Sequence, residues 1–62
     1  MIGELKKGDK VSRIELFTGM TEILVYTGTR REVKGVLFDF FINEKGETVF
    51  FYPSEVEQMI RL

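Results

Sequence analysis

Residues 36–52, VLFDFFINEKGETVFFY, place two runs of aromatic and β-branched side chains around a short polar segment containing Gly46. Runs of this composition form strands, and a glycine-bearing polar segment between them is a hairpin connection. Asn43 suits the first position of a type I turn, and Gly46 suits the left-handed position that follows it. That turn fixes a register: Asn43 lies opposite Glu47, Ile42 opposite Thr48, Phe41 opposite Val49, Phe40 opposite Phe50, Asp39 opposite Phe51 and Phe38 opposite Tyr52. Strand side chains alternate, so Val36, Phe38, Phe40, Ile42, Phe50 and Tyr52 share one face, and Leu37, Asp39, Phe41, Val49 and Phe51 share the other. The first face carries no charge. An unpaired carboxylate such as Asp39 is costly to bury, so the core is expected on the first face.

Upstream, Lys10–Phe17 and Thr21–Thr27 read as two more strands, with a turn around Thr18, Gly19 and Met20. Gly28, followed by Thr29, Arg30 and Arg31, reads as another turn before a strand beginning near Val33. Downstream, Pro53 stops the last long strand. Ser54 and Glu57 have the S-x-x-E spacing of a capping box, which opens a helical turn over residues 54–58 with Val56, Met59 and Ile60 on its apolar side. A chain of 62 residues has room for one core, so residues 1–62 are expected to form a single domain. The expected class is mainly β, with four or five antiparallel strands and one short C-terminal helical turn.

The order of a polar entry KKGDKV, a strand, a hairpin carrying NEKGE, a one-turn helix at YPSEVEQ and a terminal MIRL resembles the small SH3-like β-barrels of prokaryotic proteins. The resemblance spans most of the chain, rests on element order, and implies a fold without an activity. The chain lacks an ALYDY-like segment and has no Trp, so the proline-rich-peptide groove of signalling SH3 domains is not implied.

The residue inventory argues against catalysis. Without cysteine there is no thiolate nucleophile or disulfide, and without histidine there is neither a neutral-pH general base nor a common zinc site. Ser54 is explained as a helix cap, and Glu55 and Glu57 lie two apart, off a common helical face. No glycine-rich nucleotide motif occurs. The chain is therefore read as non-enzymatic, with no cofactor and no metal. No stretch approaches the roughly 18 apolar residues of a membrane span, and MIGELKKGDK lacks the apolar region of a signal peptide, so a cytoplasmic protein without a membrane partner is expected.

Two groups of residues remain as candidate sites. Leu37, Asp39, Phe41, Val49 and Phe51 form an apolar face that a single core does not need, and such a face suits a protein partner or a second copy. The competing reading has the chain cover this face itself, with residues 1–5 or the C-terminal turn carrying Val56 and Ile60. The second group is basic: Lys6, Lys7, Lys10 and Arg13, joined by Arg30, Arg31 and Lys34 if the two segments meet, could receive phosphates, with Tyr26, Phe41 and Phe51 as stacking rings. Net charge is −1, from nine basic and ten acidic residues, and Glu4, Asp9 and Glu32 interrupt the cations. An interaction module for a protein partner or a homo-oligomer is therefore the first expectation, and a nucleic-acid-binding barrel the second.

Overall fold

The fold, described for residues 4–62 by a computed structural model, is one antiparallel sheet with a single helical turn. Its elements are β1 (Lys10–Ile14), β2 (Thr21–Val33), β3 (Val36–Ile42), β4 (Thr48–Phe51), α1 (Pro53–Val56) and β5 (Ile60–Arg61). The strand order is β4-β3-β2-β1-β5. Thus β4 and β5 are the two edges, and among the described residues no ladder joins them into a closed barrel.

The hairpin register expected from the sequence holds. Asp39, Phe40, Phe41 and Ile42 pair with Phe51, Phe50, Val49 and Thr48. Asn43 N–H donates to Glu47 O (3.0 Å), and Gly46, at φ 81°, donates to Asn43 O (3.0 Å). The ladder ends at Phe51, but the Phe38 and Tyr52 rings still meet, 5.2 Å apart.

The expected turn at Gly28 is instead a bulge within one long strand. The first half of β2, Thr21–Val25, pairs with β1, and β3 pairs with Val25–Tyr26 and then Arg30–Val33, with a register shift between Tyr26 and Arg30. Three residues therefore lie opposite Phe40, whose carbonyl accepts a hydrogen bond from Thr27 Oγ1 (2.7 Å). Gly28 sits at φ 83°, and a Cβ there would come 3.0 Å from Lys7 Cβ. Both the backbone angle and the close approach call for glycine. The chain actually reverses at Lys34 and Gly35, both at positive φ (52° and 80°), as a type I′ hairpin turn requires. Consequently β3 starts at Val36, not near Val33.

The core lies on the face opposite to the one expected. Val11, Leu24, Tyr26, Phe41, Val56 and Met59 are buried together, with Leu5, Val49 and Phe51 packed against them. Phe41 is 0% exposed, and its ring meets those of Tyr26 (5.2 Å) and Phe51 (5.7 Å). Burial of one such aromatic side chain contributes roughly 1.5–3 kcal/mol. The cover comes from Leu5 and from the C-terminal turn through Val56 and Met59, whereas Ile60 stays exposed; residues 1–3 of the proposed cover lie outside the described residues.

The helical turn starts one residue before the expected cap. Pro53, whose fixed φ suits the first helical position, makes Tyr52 the N-cap, and Glu55 takes the reciprocal role expected of Glu57 by accepting Tyr52 N–H on Oε1 (3.0 Å). Ser54 is inside the turn, and Glu57 is its C-cap.

Candidate binding surface

Asp39 explains why the sheet faces are inverted. It is 2% exposed, but it is not alone: Arg30 Nε donates to Oδ1 (2.9 Å), Arg30 Nη2 to Oδ2 (3.0 Å), and the Tyr26 hydroxyl to Oδ1 (3.0 Å). The two-pronged guanidinium contact matches carboxylate geometry, and every buried polar side-chain atom among the described residues has a partner. The charge that seemed to bar this face from the core is thus met by two neighbours on β2. Of the five residues expected to form a partner surface, Asp39 and Phe41 are buried, Val49 and Phe51 pack on the core, and Leu37 alone is exposed.

The Tyr26 phenol is held above its ordinary pKa of 10.0, first by burial and then by its hydrogen bond to Asp39 and that residue's negative charge. A pKa raised by folding contributes stability below the unfolded value, and that contribution is lost as pH rises through the folded one. The expected result is a fall in stability beginning near pH 10, with part of the tyrosine absorbance change delayed until the chain unfolds. Alkaline titration of the wild type and of Tyr26→Phe, followed by absorbance and circular dichroism, measures it. A delayed step that persists in Tyr26→Phe would contradict the assignment.

With the core on the inner side, the outer side of β2, β3 and β4 presents aromatic rings to solvent. Phe50 is 59% and Tyr52 47% exposed, while Phe38 and Phe40 are half-buried beside them. Phe38 meets Phe50 edge-on (5.2 Å, 89°), and Phe40 lies 6.2 Å from Phe50. Val36 and Ile42 extend the patch along β3, and Arg31 stands on it opposite Phe38. Thr27, Thr29, Arg31, Phe40 and Thr48 line a shallow depression beside it. Alternation along the sequence groups Val36, Phe38, Phe40, Ile42, Phe50 and Tyr52 on this face; the structure turns it to solvent and not to the core.

The seven candidate phosphate residues do not form one patch. Arg30 is engaged by Asp39. Arg13 is engaged by Glu22 (3.1 Å) and lies over the Phe51 ring (4.7 Å) on the inner side. Lys7 does meet the second segment, packing on Gly28. Lys10 lies on the outer side of β1 opposite Val25, Arg31 on the outer side of β2, and Lys34 in the β2–β3 turn. Lys6 lies in the N-terminal turn, its backbone N–H donating to Asp9 Oδ2 (2.9 Å). None of Lys6, Lys7, Lys10, Arg31 and Lys34 has a carboxylate partner within ion-pair distance among the described residues.

A second exposed apolar feature lies where the sequence predicts the end of a strand over Lys10–Phe17 and a turn around Thr18, Gly19 and Met20; β1 in fact stops at Ile14, and the residues after it form a longer tip. The β1–β2 tip carries Ile14, Leu16, Phe17 and Met20, with Phe17 97% exposed. Glu15 orders this tip by accepting Thr18 N–H (2.8 Å) and Thr18 Oγ1 (3.0 Å), contacts that hold its carboxyl below the ordinary 4.5. No helix among the described residues is long and apolar enough to cross a membrane, and they hold no group of three potential metal ligands. Comparison with protein-family models, curated proteins and solved structures finds no match for this chain.

Proposed function

We propose that this chain is a non-enzymatic, cytoplasmic interaction module built as a small SH3-like barrel, and that it binds through the outer aromatic face of its sheet. The barrel reading is supported by the meander β4-β3-β2-β1-β5, by the bulged β2 shared between two partner strands, and by a helical turn between β4 and β5. The binding reading rests on one observation: four aromatic rings gathered on the solvent side of a sheet whose other side already supplies a complete core. Contiguous exposed apolar patches on small domains mark interaction sites.

The double variant Phe50→Ser with Tyr52→Ser tests the reading. Both side chains are substantially exposed, so the fold should be retained while association, with itself or with an added partner, weakens at least about tenfold, as expected for aromatic anchors. Sedimentation velocity over a range of concentrations, paired with binding titrations, reads the change. An association that survives at wild-type strength would move the binding surface away from these rings, and Leu16→Ser would then test the β1–β2 tip.

A further inference from the structure

The charge on the sheet is sorted by face. The strands carry three carboxylates, Glu22, Glu32 and Asp39, and alternation places all three on the inner side, opposite Arg13, Leu37 and Arg30 respectively. The outer side of the strands carries Lys10 and Arg31 and no carboxylate. At its margins, Glu44 is held by Ile23 N–H (3.4 Å) and Glu55 by Tyr52 N–H (3.0 Å). Arg31 therefore stands on the aromatic patch opposite Phe38, and Lys10 lies farther along the same side of the sheet, two strands from β3; no strand carboxylate on that side neutralises either, although the whole chain is close to neutral.

We propose that the occupant of the outer aromatic face is single-stranded nucleic acid, its bases stacked on Phe50, Tyr52 and Phe40 and its phosphates passing Arg31 and Lys10. This inference rests on the reading of that face as the binding surface. Two features favour this partner over a second copy or a duplex. Two copies meeting through this face would set cations against cations with no strand carboxylate between them, whereas a polyanion neutralises both. The Phe40 and Phe50 ring centroids lie 6.2 Å apart, wider than the roughly 3.4 Å rise between stacked bases along one strand of a duplex, so successive bases must splay to reach these two rings. A single strand can do this and a duplex cannot. Sequence-tolerant stacking on sheet aromatics beside a cationic track is an established physical mode of single-strand binding.

The test is fluorescence anisotropy with a labelled oligothymidylate of about 12 nucleotides, within the span one small barrel covers, at about 50 mM salt. Duplex DNA of equal length and poly-glutamate serve as competitors. With two phosphate contacts, the logarithm of the association constant should fall with the logarithm of salt at a slope of about −1.4, and Arg31→Ala should flatten that slope by about 0.7. Phe50→Ser with Tyr52→Ser should weaken binding by roughly tenfold or more at unchanged fold. The proposal is overturned if oligothymidylate does not bind at this salt. It is also overturned if duplex or poly-glutamate competes equally, or if the aromatic substitutions leave affinity unchanged. Sedimentation without oligonucleotide separates the two readings: self-association abolished by the double variant, with no oligonucleotide binding, overturns the nucleic-acid inference while leaving the face as the binding surface.

Discussion

Phe41→Ser leaves the chain largely unfolded at room temperature, while Phe50→Ser shifts its stability by no more than about 1 kcal/mol. The two residues lie on adjacent paired strands and differ in which side of the sheet they face. Phe41 is 0% exposed and contacts the rings of Tyr26 and Phe51, so truncation removes the centre of the core. Deleting a buried aromatic costs roughly 3–5 kcal/mol, and a polar hydroxyl placed there adds to it, against a core that in a domain this small supplies about 3–5 kcal/mol. Phe50 is 59% exposed and loses only its surface contacts with Phe38 and Phe40. Urea denaturation of both variants, followed by circular dichroism, checks the contrast. Comparable destabilisation by the two substitutions would mean that both sides of the hairpin are core.

Arg30→Ala should destabilise the fold by about 3 kcal/mol although the Arg30 side chain is itself half exposed. The loss arises at Asp39, whose carboxylate would remain buried with only the Tyr26 hydroxyl to satisfy it. The exposure of Arg30 lets water replace part of its contact, which places the expected cost at the low end of the range for breaking a buried ion pair. Arg30→Lys keeps the charge without the two-pronged geometry and should fall between wild type and Arg30→Ala. In Arg30→Ala with Asp39→Ala no buried charge is left unpaired, so the double variant should be less destabilised than the sum of the single changes. Denaturant unfolding of the four proteins gives the coupling energy. Additive effects would show that Arg30 does not support Asp39.

The hairpin was legible because its turn chemistry is local: Asn43 and Gly46 alone specify which residues of the two strands meet. The orientation of the hairpin was not legible, because both of its faces are apolar and only Asp39 distinguished them. Within β3 and β4 alone that carboxylate has no cation to meet it; its partner lies on β2. Arg30 reaches it only because β2 continues through Gly28, the residue read from sequence as a turn. A turn at Gly28 would leave Arg30 off β2 and Asp39 without its partner, whereas the bulge brings the two together and lets the Asp39 face be the core. A glycine at positive φ serves a bulge as well as a turn, and only the approach of Lys7 and the pairing of Arg30–Val33 with β3 tell them apart. At the C-terminus Val56 and Met59 are buried as expected, but the cap moves because Pro53 starts the turn itself, the helix ends at Val56 and not at residue 58, and Ile60 is exposed in β5 and not on the turn's apolar side. The candidate site was visible as a group of residues but carried the wrong role, and the separation of charge between faces became visible only with the complete strand pairing.

The most direct test of the account is paramagnetic broadening of the aromatic ring resonances by a neutral soluble relaxation agent, recorded for the protein alone and with oligothymidylate. The account predicts strong broadening of Phe50 and Tyr52 in the protein alone, little for Phe41, and protection of Phe50 and Tyr52 once the oligonucleotide is bound. Broadening of Phe41 in the protein alone, or rings of Phe50 and Tyr52 that stay equally accessible in the presence of a bound oligonucleotide, would contradict it.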